Sequence, residues 1–300
     1  LERVKVSVIV PVYNDKKRII SCVDSIFAQR IETFELEVIL IDNGSTDGTY
    51  ELALEKLQPK YKNLTVDRCS ITGSYAARNQ GLTLAQGEYI AFTDSDCIVS
   101  EGWIESNLAE IKGKPVNTIL AGEVEFFKEE NKTTEQSAID FESTFSMKQG
   151  ENAKNGKCIT ANFFCNKGLF ETVGRFNASL KSGGDIEISQ RVVASGGKVL
   201  FNAEAKVGHP SRNKEELILK RRRIIGGTWD STLASAGVKE SLKFIFRLLK
   251  MFLGRTKKVI FDSELSLSRK LSLVYMLLTI FFISISELIA LASGKQSNRQ

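Results

Sequence analysis

The sequence predicts an α/β fold built on a mostly parallel, doubly wound sheet flanked by helices. Three observations predict it. Short runs rich in Val and Ile alternate with amphipathic helical segments through the first hundred residues. Carboxylates and turn formers fall just past the ends of those runs. A content of 42% hydrophobic residues in 300 is enough for one sizeable core or two small ones.

The elements follow in order. VSVIVPVY (residues 6–13) reads as a buried strand. In residues 15–29, Ile19, Ile20, Val23, Ile26 and Phe27 recur at helical spacing. LEVILID (36–42) is the second strand. STDGTYELALEKLQ (45–58) is the next helix, with Ser45, Thr46 or Asp47 suited to cap it. LTVDRC (64–69) is a short strand, and SYAARNQGLTLAQ (74–86) is a helix closed by Gly87. A fourth apolar strand, 89–93, runs into Asp94-Ser95-Asp96. Beyond Trp103 the rhythm loosens. Strands are predicted at 117–127 and 158–165, a helix at 135–148, a helix between glycines at 183–197, and a strand and turn at 198–210. The spacing predicts one α/β domain over 1–210, a basic amphipathic segment over 211–260 and a hydrophobic helix over 261–300.

Composition narrows the chemistry. Five cysteines, odd in number and without CxxC spacing, argue against a zinc knuckle or disulfide framework and for a reducing compartment. Charges interrupt the first apolar stretch, so no secretory leader is expected in these residues. His209 is the single histidine, so a multi-histidine metal site within one chain is excluded. Carboxylates must carry most acid–base or metal work. The net charge of +5 is concentrated in residues 206–258, which suggests an anionic partner such as phosphate, nucleic acid or a membrane surface.

In open parallel sheets, ligands bind beyond the C-terminal ends of the strands. Asp42, Asp94 and the VYND turn all fall at such ends. In an extended backbone Asp94 and Asp96 would point to one side, and a divalent cation between them and a ligand's phosphates would turn their repulsion into binding. Helix or turn capping is the bland alternative for Asp94, Asp96 and Asp185.

VSVIVPVYND, VILIDNGSTDGT, SYAARNQGLTLAQGEYIAFTDSDC and GGDIEISQRVVASGGKVLFNAEAKVGHP together resemble the family 2 glycosyltransferases, over about residues 5–210. Each motif is weak alone; four in the family's order are specific. The resemblance implies a GT-A fold, a nucleotide-diphosphate sugar donor with UDP-sugars favoured, a divalent metal (Mn²⁺ or Mg²⁺), inversion at the anomeric carbon, and a saccharide or lipid-linked acceptor. It also implies residue roles. Pro11, Tyr13 and Asn14 would line the nucleoside pocket, Asp42 would read the base, and Arg78 and Asp94 would face the donor. Asp94, Asp96 and His209 would hold the metal, and Asp185 would deprotonate the acceptor. Many members carry Glu before the catalytic Asp, where this chain has Gly184, giving a GGD form.

The C-terminal segment changes character. Residues 241–254 set Phe244, Ile245, Leu248, Leu249 and Phe252 on one face and Lys243, Arg247 and Lys250 on the other, a basic helix of interfacial type. Residues 271–286 are uncharged and slightly short for a span. Residues 220–223 are either a solvated basic face or a clamp for a donor diphosphate or lipid phosphate. The expectation is a membrane-associated or single-pass protein on the cytoplasmic face of the cell membrane, where basic flanks stay. The rival readings are a nucleotidyltransferase, which would want glycines in the loop after the first strand, and a non-catalytic binder of anionic membrane or nucleic acid. Nucleic acid is disfavoured because the basic zone lacks interleaved exposed aromatics.

Overall fold

The computed structural model describes residues 3–29, 33–130 and 132–297. In chain order the elements are β1 (Val4–Val12), α1 (Ile19–Phe27), β2 (Phe34–Asp42), α2 (Thr49–Leu52), β3 (Leu64–Arg68), α3 (Ser74–Leu84), β4 (Tyr89–Phe92), β5 (Ile98–Val99) and α4 (Trp103–Ile111). They continue with β6 (Thr118–Phe127), α5 (Gln136–Phe145), α6 (Gln149–Lys154), β7 (Phe163–Asn166), α7 (Leu169–Val173), α8 (Gly184–Ala194), β8 (Lys198–Pro210), α9 (Lys214–Thr228), α10 (Ala234–Ile260) and α11 (Leu267–Ala292). Two compact units result. One comprises Leu1–Glu125, Met147–Ser179 and Gly184–Pro210; the other comprises Phe126–Ser146, Leu180–Gly183 and Ser211–Gln300.

The sheet has eight strands in the order β3-β2-β1-β4-β7-β6-β8-β5. β3, β2, β1 and β4 are mutually parallel. β7 is antiparallel to both β4 and β6, so β6 shares the direction of the first four. Val8, Ile9 and Val10 of β1 are all inaccessible. A continuous apolar run, rather than an alternating one, is what a strand covered on both faces requires. Helix α1 supplies Ile19, Cys22, Val23 and Ile26 to the same core. Pro11 has no N–H to offer a ladder. Its position is tolerated because pairing with β4 ends at Ile9 opposite Phe92.

Several boundaries differ from expectation for local reasons. The helix expected from residue 45 begins at Thr49, because Gly48 adopts φ +84° and Asp47 accepts the Thr49 N–H at 3.0 Å. Helix α3 ends at Leu84, and Gly87 is required by close approach rather than as a cap: a Cβ there would sit 2.6 Å from the Ser7 nitrogen. The helix expected over 135–148 stops at Phe145, ahead of Met147 in the left-handed region (φ +47°). The strand expected from 158 starts only after a tight helical turn at Thr160–Asn162.

The second unit is helical. Asn213 and Glu216 form a reciprocal capping box that starts α9. Ala138 and Phe141 of α5, Leu217 of α9, Val259 of α10, and Leu273, Met276, Leu277 and Ile280 of α11 form one apolar cluster. Ile225, Leu233, Leu248, Leu288 and Leu291 form another. Helix α11 is long and apolar enough to cross a membrane, yet its inner face carries buried Ser284 and Glu287, the latter paired with Lys295 at 2.8 Å. Helix α10 differs from its predicted face at one position. Leu248 is buried, and Phe244, Ile245 and Phe252 are partly buried, but Leu249 is 39% exposed. It belongs to a second, outward apolar stripe with Leu242, Phe246, Leu253 and Ile260.

Candidate active site

The parallel register aligns the C-terminal ends of the strands. Val12 of β1 lies opposite Asp42 of β2, and Asp42 lies opposite Arg68 of β3. Asp42 is buried, and its Oδ2 accepts the N–H groups of Gly44 and Ser45, each at 3.1 Å. Arg68 Nε stands 3.8 Å from the same oxygen. Oδ1 is equally buried and has no hydrogen-bond partner among the described residues. A carboxylate with one oxygen fixed by backbone and one open is a ready acceptor for a ligand N–H.

Tyr13 and Asn14 follow β1, and both are exposed. Asn14 takes φ +49°, a conformation Asn tolerates better than most residues. Its side chain is not free: Oδ1 accepts the Thr46 N–H at 2.7 Å, and its own N–H donates to Ser45 Oγ at 2.9 Å. Asn14 therefore fastens the turn after β1 to the turn after β2. Pro11 is buried beneath them.

Asp94 and Asp96 do not share one side of an extended chain. The backbone turns at Ser95, with the Cys97 N–H donating to the Asp94 carbonyl at 3.1 Å. The turn sends the two carboxylates to different partners. Asp94 Oδ1 accepts from Arg78 Nη2 at 2.5 Å, while Asp96 Oδ2 lies 3.5 Å from His209 Nε2. Arg78, on α3, is buried, and its Nε has no hydrogen-bond partner among the described residues. His209 ends β8, and its Nδ1 is 2.7 Å from the Pro210 carbonyl. A carbonyl only accepts, so Nδ1 carries the proton, and in the neutral ring Nε2 presents a lone pair toward Asp96. Asp96, Cys97 and His209 bring their donor atoms within 4.8 Å of one another. Burial pushes the Cys97 thiol well above the usual range, so it stays protonated. The carboxylate is a hard donor that suits Mn²⁺ or Mg²⁺, and the imidazole, a borderline donor, favours Mn²⁺ of the two.

Asp185 stands at the start of α8. Burial raises its pKa; its own backbone contacts and Arg78 act against that, and Asp94 adds to it. Tyr75 Oη donates to Asp185 Oδ1 at 3.4 Å. Burial, with the charge of Asp185, pushes the Tyr75 phenol up to about 12, so it remains a donor. The GGD sequence has a physical basis here. Gly183 takes φ +78°, and a Cβ on Gly184 would lie 2.8 Å from the Tyr75 ring. The ring fills the space that a side chain before Asp185 would need.

The strand-end edge thus gathers Asp42 with its neighbouring turns, the Arg78–Asp94 pair beside Asp185, and the Asp96–His209 pair. Asp94 lies outside the Asp96–Cys97–His209 group. Three contributors escape a reading of the sequence. Tyr75 meets Asp185 across 110 positions. Asp15, buried after β1, accepts from Ser95 Oγ at 2.7 Å and so fixes the turn between the two carboxylates. Ser45 ties the loops. Asp15 closes the VYND motif, but nothing in the local sequence marks its partner 80 positions on.

A mostly parallel α/β sheet with carboxylates gathered at its strand ends has the arrangement of the GT-A fold, with its ligand edge beyond those ends. The family model for glycosyl transferase family 2 matches residues 7–174. Glycosyltransferase AglE of Haloferax volcanii is 34% identical over 221 residues, which cover 73% of this chain and 71% of that one. The chain belongs to glycosyl transferase family 2 and is a glycosyltransferase. Solved structures agree on the fold. The mannosyltransferase PcManGT of Pyrobaculum calidifontis, in complex with GDP-Man and Mn²⁺, superposes with a TM-score of 0.59 at 18% identity, over 98% of this chain and 77% of that one. S. aureus TarS 1-349 with UDP-GlcNAc gives 0.55 at 18% identity, over 97% and 92%.

Proposed function

We propose that this enzyme transfers a sugar, with inversion, from a nucleotide-diphosphate donor, UDP-sugars favoured, to a hydroxyl of a saccharide or lipid-linked acceptor. The observation that carries this reading is the half-buried Asp185 carboxylate beside the Arg78–Asp94 pair at the strand-end edge. Asp185 takes the acceptor proton as the hydroxyl oxygen bonds to the anomeric carbon and the nucleotide diphosphate departs. Burial keeps this carboxylate weakly solvated, and Tyr75 Oη holds one of its oxygens, which leaves the other for the acceptor. Asp42 Oδ1, lacking a hydrogen-bond partner among the described residues, accepts the base N–H; Pro11, Tyr13 and Asn14 border the same end of β1.

Asp96 and His209 are the residues that would hold a divalent ion, with Asp94 a third candidate that is engaged by Arg78 here. When bound, Mn²⁺ or Mg²⁺ would neutralise charge on the departing diphosphate. The named neighbours, one with GDP-Man and Mn²⁺ and one with UDP-GlcNAc, support this donor class.

The enzyme works at the cytoplasmic face of a membrane, associated through α10. Four outward apolar residues are each followed by a basic one: Val238-Lys239, Leu242-Lys243, Phe246-Arg247, Leu249-Lys250. That places an exposed cationic stripe along one flank of an exposed apolar stripe. The same flank would repel a second copy of α10, whose one carboxylate in residues 238–260 is Glu240.

A panel of UDP-, GDP- and dTDP-sugars, scored by nucleotide-diphosphate release with Mn²⁺, Mg²⁺ or chelator, tests the donor reading. Release from a UDP-sugar that requires the ion is expected. Undiminished release in chelator, or preference for GDP donors, would sink the metal or the base assignment respectively.

A further inference from the structure

Among the described residues, the three buried carboxylates of the second unit each have a cationic partner. Asp140 is held by Arg269 at 2.6 Å, Glu142 by Arg212 at 3.0 Å and Lys220 at 3.7 Å, and Glu287 by Lys295 at 2.8 Å and Arg222 at 3.7 Å. Arg221 and Arg255 are different. Among the described residues neither makes an ion pair with a carboxylate. Arg221 Nε donates to Ser284 Oγ at 2.5 Å. The Arg255 guanidinium lies 5.0 Å from the Phe145 ring centre and 5.7 Å from that of Phe141.

Helical spacing sets these residues in one layer. Arg221 is one turn from Leu217 on one side and Ile225 on the other. Ser284 is one turn from Ile280 and from Leu288, and Arg255 is one turn from Val259 and two from Leu248. Leu217, Val259 and Ile280 belong to one apolar cluster; Ile225, Leu248 and Leu288 belong to the other. The bundle therefore holds two guanidinium groups in a polar layer between apolar layers, partly open to solvent. Burial and the neighbouring Arg255 charge together push Arg221 down to about 10, still charged at neutral pH, and burial lowers Arg255 as well. Two like charges without a counter-ion are costly in such a layer. A multiply charged oxyanion neutralises both, and the planar guanidinium fork matches phosphate oxygens.

We propose that Arg221 and Arg255 form a binding site for a phosphate group, carried either by a lipid or by a soluble ligand, with Ser284 Oγ, which itself donates to the Ile280 carbonyl at 2.6 Å, fixing the Arg221 guanidinium. The site lies wholly within the second unit and does not depend on the sugar-transfer reading.

The test uses the full chain. Inorganic phosphate should bind saturably and raise the melting temperature above that in chloride at matched ionic strength. Arg221→Gln and Arg255→Gln should each weaken binding by at least about tenfold, the loss of one charge-assisted contact. The double variant guards against misfolding. Because it removes repulsion, it should melt no lower than the wild type in phosphate-free buffer. Phosphatidylcholine vesicles doped with phosphatidic acid form the second arm. Vesicle binding that falls in both variants while Lys243 and Lys250 are intact assigns the site to a lipid phosphate; phosphate binding without that dependence assigns it to a soluble one. Absence of phosphate binding, binding unchanged in both variants, or a double variant that melts well below the wild type overturns the proposal.

Discussion

Burial raises the pKa of Asp185, so the folded chain keeps this proton to a higher pH than the unfolded chain does. Between the two pKa values the folded state binds more protons, and stability falls as pH rises through that window. Asp185→Asn should therefore melt higher than the wild type at neutral pH, with the difference vanishing below the unfolded-state pKa. Transfer should drop by at least about a hundredfold, the lower bound for losing a general base. A variant that melts lower at neutral pH would mean that Asp185 is a structural cap. Tyr75→Phe removes the hydroxyl that donates to Asp185 Oδ1. Its acidic limb in kcat/KM should move to higher pH because the ionised carboxylate loses a donor; an unmoved limb would leave Tyr75 as packing alone. Legibility at this scale divides cleanly. Asp42, Asp94 and Asp185 are readable because each ends or begins an element whose period is visible. Tyr75 is not, because nothing local marks a contact 110 positions distant, and Gly184 reads as an anomaly until the ring beneath it is seen.

At the scale of elements, the Asp94–Asp96 turn gives the two carboxylates separable effects. Asp94→Ala leaves buried Arg78 without its partner, which should cost about 1–3 kcal/mol of stability. Asp96→Asn should leave the melting temperature in chelator nearly unchanged and abolish the rise that Mn²⁺ gives the wild type, since a ligand that binds the native state alone stabilises it. Equal behaviour of the two variants in both measurements would contradict the split. Sequence periodicity finds β4 but not this turn, because a short polar run has no period to read. The same limit applies to α10. Two apolar stripes satisfy its helical spacing, and only the positions of α9 and α11 decide that Leu248 turns inward while Leu249 turns outward.

At the scale of the whole molecule, the alternating strands and helices foretell the sheet, whereas the composition of the tail says nothing of what it covers. The amphipathic pattern suggests a cut near residue 240 that would leave a soluble catalytic domain. The second unit, however, also takes in Phe126–Ser146 and Leu180–Gly183. Ala138 and Phe141 of α5 and Leu217 of α9 are covered by Val259 of α10 and by Leu273, Met276, Leu277 and Ile280 of α11. Removing α10 and α11 uncovers these side chains, at about 1.5–3 kcal/mol for each large one exposed, and joins them into a new apolar patch. A chain ending at residue 240 is thus expected to aggregate, as read by size-exclusion chromatography. Replacing Leu242, Phe246 and Leu249 by Gln should do what the cut does not. These side chains are exposed and their loss removes little packing, so the variant should stay monodisperse with an unchanged melting temperature. Its sedimentation with anionic vesicles should fall well below that of the wild type, while donor turnover in solution persists. A monodisperse, cooperatively folded chain ending at residue 240 would show that the helical cover is dispensable. Vesicle binding unchanged in the triple Gln variant would show that the outward stripe of α10 is not the membrane contact.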